Sequence, residues 1–491
     1  MTDRRRFVKT LFAGGAGTLL TTRSLIRQSP LREFNLINAA LSDDQKADDP
    51  WSQVPKILAR IKPPVFPKRD FPVTDFGAVG DGARDCTEAF QKAIAACNRA
   101  GGGRVVLPNG IYLTGAIHLQ SNVNLHISKG ATLKFATDPK KYLPVVFTRF
   151  EGIECLNFSP LIYAFGQENI AITGTGVLDG SASKENWWTW ARRAADDTDS
   201  PARRDIRRLL DFGERGVPVE QRIFGPGHLL RPNFIQPYRC RNVLIEGISI
   251  RNSPMWEIHP VLSTNVTVRR VKISSHGPNN DGCDPESSRD VLIEDCVFDT
   301  GDDCIAIKSG RNNDGRRLHA PSENIVIRNC TMKDGHGGVV MGSEISGDCR
   351  NVFAENCRMD SPNLDRALRL KSNALRGGVI ENIFMRNVEV GRVAEAVLTI
   401  DLLYDTGDKG PHKPVVRNVA LDHVTSTSSP RVMWVVGFPG AVIEDVRFSD
   451  CTFRGVETSE VMHHAGSFSF KNVTIEPVKK GRSLNSPQAT P

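Results

Sequence analysis

Several signatures that would class a chain at once are missing from this one. No stretch approaches the roughly 20 uninterrupted apolar residues of a membrane-spanning helix, which excludes an ordinary helical membrane protein. The 11 cysteines are never set in tight Cys-x-x-Cys pairs, which removes the usual zinc-site pattern, and they are spread too thinly over 491 residues for a disulfide miniprotein. Their number is odd, so at least one is unpaired within the chain. Neither sign of charge prevails: 63 Lys and Arg against 56 Asp and Glu leave +7. A mildly basic surface suits nucleic acid, acidic lipid or acidic polysaccharide alike, and so selects none of them. Helical periodicity is scarce as well, and only one stretch of the main body shows it clearly.

What is present begins with a targeting pattern. Arg4-Arg5-Arg6-Phe7-Val8-Lys9 resembles a twin-arginine export signal, followed by a short Gly-rich apolar run from Leu11 to Leu20. Residues 1–27 therefore predict export to the periplasm or the exterior. Residues 28–70, with Pro63, Pro64 and Pro67, read as a linker, and 478–491 as a disordered tail. Length alone would suggest two or three domains, but a repeat protein grows without dividing.

The body opens on the Gly-punctuated loop Asp75-Phe76-Gly77-Ala78-Val79-Gly80-Asp81-Gly82. A helix over Thr87–Arg99 follows. Asp85 and Glu88 stand at its start, Phe90, Ile94 and Cys97 form its apolar face, and Gly101-Gly102-Gly103 stops it. Beyond it a weak repeat, Asn-Val-x-Ile-x-x-x-x-Ile, starts at Asn169, Asn242, Asn265, Asp290, Asn324, Asn351, Asn382 and Asn418, with an echo at Asn472. From Asn242 the spacings are 23, 25, 34, 27, 31 and 36 residues. A constant β-rich core with a variable period describes coils that share one strand geometry and differ in their turns. The expected fold is all-β, a single right-handed parallel β-helix over 71–477 with an N-terminal capping helix. A propeller would need about 40–50 residues per unit. The leading Asn of each unit is placed to stack in a ladder, and Cys296, Cys330 and Cys357 share one repeat position and are expected to stack too. Residues 183–237 exceed one coil and read as a long insertion, with an Arg-rich surface helix over 202–215.

Four polar segments break the apolar pattern: Asn279-Asn280-Asp281, Gly301-Asp302-Asp303, Gly335-His336-Gly337 and Arg369-Leu370-Lys371. Asp302 lies 12 residues after Asp290, and His336 lies 12 after Asn324. Equal offsets in adjacent coils put the two side chains about 5 Å apart, one above the other. Each segment alone is an ordinary turn or strand face; their order along one repeat marks a site. Three carboxylates beside an imidazole, a guanidinium and an ammonium suit hydrolysis of an acidic sugar. One acid protonates the leaving oxygen, the others activate water, and the cations hold the substrate carboxylate. Crowding is expected to keep one of the acids protonated.

With these four motifs the chain resembles the polygalacturonase family, family 28 of the glycoside hydrolases, over roughly residues 75–472. The family pattern reads Asn-Thr-Asp, Gly-Asp-Asp, Gly-His-Gly and Arg-Ile-Lys, so Asn280 and Leu370 are mild departures. The resemblance implies Asp302 as general acid, Asp281 and Asp303 as the water-activating pair, and His336 as the group that tunes the acid. It implies Arg369, Lys371, Tyr404 and Asn279 as substrate-binding residues, an inverting mechanism, no cofactor and no metal. The implied partner is pectin or polygalacturonate, with no nucleic acid, for an enzyme acting as a monomer. His336 favours a galacturonan over a rhamnogalacturonan, and the 183–237 insertion favours action on chain ends. A calcium-dependent pectate lyase and a non-catalytic polysaccharide-binding β-helix remain as rivals. The first has no use for Gly-His-Gly beside the acids, the second none for stacked ionisable groups.

Overall fold

The computed structural model describes residues 49–191, 199–458 and 460–478. The export signal and the tail from 479 onward lie outside the described residues.

The repeat units form strands that pair side by side in parallel, and the molecule is a parallel β-helix. Each coil places its conserved core on one sheet: Glu168–Gly174, Arg241–Glu246, Thr264–Arg269, Arg289–Glu294, Ser322–Arg328, Cys349–Glu355, Val379–Arg392 and Val415–Ser428 are successive neighbours. Their register aligns Ile172, Ile245, Val268, Ile293, Ile327, Ala354, Met385 and Leu421 in one buried row. A second row runs through Leu178, Ile250, Ile273, Phe298, Met332, Met359 and Val390. Since every strand is covered on its inner face by rows of this kind, the core is a continuous apolar column, and variable turns outside it cost little.

At the first of these sheets each unit turns on an asparagine with positive φ, between 54° and 58° from Asn169 to Asn418. Asparagine tolerates this left-handed backbone better than most residues. The side chains bond up the stack: Asn242 donates to Asn169, Asn265 to Asn242, Asn351 to Asn324 and Asn382 to Asn351, at 2.7–3.1 Å. Asp290 replaces one asparagine, and a segment from before the body covers that place. Residues 50–61, read from sequence as part of a linker, instead form the short turn Pro50–Ser52 and the helix Gln53–Arg60. Val54, Ile57 and Ile61 pack on Leu292, Val326, Phe353 and Phe384 outside the sheet. Arg60 reaches Asp290 at 2.6 Å, and the Lys62 backbone bonds the Asn265 side chain in both directions. Proline spacing suggested a linker because the three prolines follow this helix rather than interrupt it.

The Thr87–Arg99 helix forms as expected and buries Phe90, Ala93, Ile94 and Cys97 against the first strands. Asp85 accepts from the backbone N–H and hydroxyl of Thr87, whereas Glu88 pairs with Lys92 rather than with the helix start. The stretch read as an opening loop holds a 3-10 turn, Val73–Phe76, and a strand, Asp81–Asp85. All 11 cysteines are free and buried, and Cys296, Cys330 and Cys357 each follow the aligned row by three residues, so they stack. The insertion contains Trp187–Trp190, the helix Pro201–Glu214 capped by Ser200, and the strand Ile235–Tyr238. That helix packs on the strand Ile153–Asn157 and on a short helix, Asn312–Leu318. Ile153–Asn157 is the second arm of an antiparallel hairpin with Val146–Phe150, an element the repeat pattern did not announce.

Candidate active site

A third line of strands carries the polar motifs: Ile305–Ile307, Val339–Met341, Arg366–Lys371 and Ala396–Asp401, extended upstream by single bridges from Ile258 to Cys283 to Ile305. Cys283, Ile305, Val339 and Leu368 are thus lateral neighbours. Two residues before the first three stand Asp281, Asp303 and Gly337, and three before stand Asn280, Asp302 and His336. One residue after the aligned row come Asp284, Ala306, Val340 and Arg369, and three after come Glu286, Lys308, Gly342 and Lys371. Neighbouring coils lie about 4.8 Å apart, so ionisable groups on successive coils are forced together.

The structure accordingly brings Asp281, Asp302, Asp303, His336, Arg369, Lys371 and Tyr404 into one cluster. One carboxylate oxygen from each of Asp281, Asp302 and Asp303 lies within 4.8 Å of the others. His336 Nδ1 is 2.9 Å from Asp302 Oδ1, which also accepts the Asp303 N–H at 3.0 Å. Both bonds fall on one oxygen and leave Oδ2 for a substrate. Lys371 Nζ donates to Asp303 Oδ2 at 2.7 Å, and Arg369 approaches Oδ1 at 3.5 Å. The Tyr404 ring lies 5.5 Å from the Arg369 guanidinium and 5.3 Å from the Lys371 ammonium, within cation–π range. A Cβ on Gly337 would come 2.4 Å from Val340 and 3.3 Å from Asp303 Oδ1, which explains the glycine after His336.

Asn279 sits differently. Its side chain accepts from Arg231 at 2.8 Å, with positive φ, at the turn leading into the site. Asn280 is buried and structural: it accepts from Ser275 and the Gly277 N–H and donates to the Ser253 and Met255 carbonyls. Together they hold the turn that aims Asp281.

Sequence reasoning missed Asp284, Lys308, Glu344 and Trp256. Lys308 Nζ stands 3.5 Å from Asp281, 3.8 Å from Asp284 and 3.6 Å from Glu344, and 4.3 Å over the Trp256 ring. A signal existed for Lys308. It lies three residues after Ile305, as Lys371 lies three after Leu368, although that echo is visible only once the coils are in register.

Electrostatics separates the acids. Burial, then Asp284 and Asp302, push the Asp281 carboxyl well above the carboxylate range, with Lys308 opposing. Asp284 behind it is pushed up in the same way, by burial first. Burial would also raise Asp302, but the His336 imidazolium, then Lys371 and Lys308, bring it below its ordinary value. The carboxyl kept protonated by crowding is therefore Asp281 with Asp284, not Asp302, because Asp302 alone faces the imidazole. Asp303 is lowered: burial is outweighed by Lys371 and Arg369 against a raising contribution from Asp302. His336 is raised chiefly by Asp302, with burial opposing. Both directions favour an imidazolium facing a carboxylate across the 2.9 Å bond.

The three acids are spaced closely enough for a cation to bridge them. Each carboxylate is already paired with a cation through one of its oxygens, however: Asp303 with Lys371, Asp302 with His336, and Asp281 with Lys308. Calcium, which takes six to eight oxygens, would have to displace these cations. The donor set suits acid–base chemistry better than a calcium site.

Comparison with known proteins bears on the family of the whole chain. Residues 227–476 match the model of glycosyl hydrolases family 28, and residues 71–137 match a rhamnogalacturonase A/epimerase, pectate lyase-like model. An exopolygalacturonase from Thermotoga maritima, described as hyperthermoactive, superposes with a TM-score of 0.83 at 47% identity, covering 87% of this chain and 96% of that one. An exo-poly-alpha-D-galacturonosidase from Dickeya chrysanthemi is 27% identical over 84% of this chain and 71% of its own length. A probable polygalacturonase from Vitis vinifera is 29% identical over 69% of this chain, and the match spans 63% of the grape protein.

Proposed function

The chain belongs to family 28 of the glycosyl hydrolases, and on that premise we propose that it hydrolyses the α-1,4-galacturonide linkages of polygalacturonate, acting at chain ends. The observation that carries the reading is the placement of Arg369, Lys371 and Tyr404 directly against the acid cluster. Cations there hold a uronate carboxylate while the acids reach the neighbouring glycosidic oxygen. The names of the Thermotoga and Dickeya relatives support action on chain ends, and His336 favours galacturonan over rhamnogalacturonan. The pectate lyase-like match ends at residue 137 and includes none of the site residues. The twin-arginine pattern supports export, and we take the working unit to be a monomer.

In this mechanism Asp303, held ionised by Lys371 and Arg369, draws the proton from an attacking water. Asp302 protonates the leaving oxygen, its carboxyl turning about the Cβ–Cγ bond to present the oxygen that has received the proton. The proton comes from His336 across the 2.9 Å bond once a bound uronate raises the Asp302 affinity for it. The high proton affinity of Asp281 favours a second reading in which Asp281 is the acid and Asp302 assists the base. A nitrophenyl galacturonide decides between them, since a good leaving group needs no proton. Its cleavage survives loss of the acid and not of the base. The overall reading is tested by incubation with polygalacturonate. Saturated galacturonate or short oligomers support it; unsaturated, ultraviolet-absorbing products would assign the protein to a lyase. Inverting pairs usually stand roughly 6.5–9.5 Å apart, wider than the oxygen spacing here. Inversion therefore rests on the family and is checked by whether the first product seen by proton NMR is the β-anomer.

A further inference from the structure

Beyond Tyr404 the cleft meets a second set of cations that the chemistry above does not use. Arg311 and Arg376 are 6% and 2% exposed. Each guanidinium is anchored at one end: Arg311 Nη1 on Glu151 Oε2 at 2.8 Å, Arg376 Nη1 on Asn312 Oδ1 at 3.0 Å. Their other ends converge on Asp405 Oδ2, at 4.0 Å and 3.6 Å, beyond hydrogen-bond reach. Asp405 is half exposed and directly follows Tyr404. A structural arginine pair in this same protein looks different. Arg222 lies 2.7 Å from Asp314, and both are buried to 1% exposure.

We propose that Arg311 and Arg376 form a second carboxylate-binding subsite for the terminal galacturonate of the chain, and that Asp405 loosely holds its place in the free protein. This rests on the polygalacturonate reading and adds where the chain end is recognised. The subsite is contiguous with the acid cluster, since Glu344 lies between Lys308 and the Arg311–Arg376 pair and is held ionised by these cations and Lys371 against its burial. The hairpin and the short helix pack directly around it. The hairpin turn Glu151-Gly152 abuts Arg311, whose N–H donates to the Gly152 carbonyl at 3.0 Å. A Cβ on Gly152 would come 2.8 Å from Arg311 Cβ and 2.9 Å from Glu344 Cγ. From the helix Asn312–Leu318, Arg316 donates to the Leu375 and Arg376 carbonyls at 3.0 Å and 2.9 Å, fixing the segment that carries Arg376. Burial, then repulsion from Arg311, lower the Arg376 guanidinium to about 10, with Glu344 and Asp405 opposing. A guanidinium pair held in place by this packing reads a terminal carboxylate.

The test uses the full chain with trigalacturonate as substrate and, separately, titration with galacturonate and with uncharged galactose. Arg376→Gln should raise KM about tenfold or more, as loss of a charge-assisted hydrogen bond implies, with a smaller change in kcat. Asp405→Asn should act in the opposite direction and lower KM, because the competing carboxylate is gone. A merely structural arginine–aspartate contact would give no such gain, so an unchanged or higher KM in Asp405→Asn overturns the proposal. An unchanged KM in Arg376→Gln overturns it too. If the wild type leaves trigalacturonate uncut, the polygalacturonate reading fails, and the titration still decides on the arginine pair. Galacturonate binding that Arg376→Gln weakens and Asp405→Asn strengthens supports the subsite, and binding indifferent to both overturns it.

Discussion

At the scale of single residues the site is a matter of which acid keeps its proton. Asp302→Asn preserves shape but removes the transferable proton, and kcat on polygalacturonate should fall by at least ~10², the ordinary worth of general acid catalysis. On the nitrophenyl substrate the same variant should recover most of its rate. If Asp281→Asn recovers instead, the acid is Asp281. Lys371→Ala or Arg369→Ala should raise KM and also slow turnover, since a loosely held sugar is poorly oriented. His336 is raised above its ordinary 6.5 by Asp302. Its contribution to stability is complete below that value and is lost as pH rises through the raised one. Asp302 is lowered from 3.8, so its contribution is present above that value and lost as pH falls through the lowered one. The pair therefore stabilises the fold most across the interval between 3.8 and 6.5. The alkaline limb of kcat/KM should fall above 6.5 and disappear in His336→Gln, which pH–rate profiles would show.

At the scale of elements, the asparagine ladder and the outer helix do the joining. Asn351 donates to Asn324 and accepts from Asn382 while holding φ at 58°. Asn351→Ala removes both bonds and puts alanine in a left-handed backbone. A loss of about 1–3 kcal/mol in denaturant unfolding is expected. Ile57, 2% exposed beneath the helix Gln53–Arg60, anchors that helix on Phe353 and Phe384. Ile57→Ala should open residues 50–61 to proteolysis while leaving kcat unchanged, because the helix lies on a sheet away from the acids.

For the whole molecule, the parallel stack presents a fixed face, and the hairpin, the insertion helix and Asn312–Leu318 pack together outside it. Early digests of long polygalacturonate should release mono- or digalacturonate with little loss of viscosity. Rapid thinning with a ladder of mid-sized oligomers would show internal cleavage instead. Hydrolysis should persist in EDTA, since lysines and His336 already engage the carboxylates a metal would need. Loss of activity that calcium restores would reverse that assignment.

The sequence by itself determined the β-helix and the members of the acid cluster. A repeated apolar core can be buried only by stacking, and equal offsets from it, such as those of Asp302 and His336, become vertical neighbours wherever turns are equal in length. It also carried the asparagine ladder, because the left-handed turn favours that residue type, with Asp290 the exception among the units from Asn169 to Asn418. Tertiary structure alone decided the rest. Repeat spacings vary from 23 to 36 residues between Asn242 and Asn418, so offsets measured along the chain do not carry to Lys308, Glu344, Arg311 or Arg376. The helix at 53–60 was illegible because its apolar face packs on the outside of a sheet, where no repeat position records a partner. Which aspartate holds a proton was likewise settled only in three dimensions. The sequence places Asp281, Asp302 and Asp303 together, but the proton stays on the acid that burial and neighbouring carboxylates favour and leaves those that face cations, and these surroundings depend on how coils far apart in the chain come to face one another.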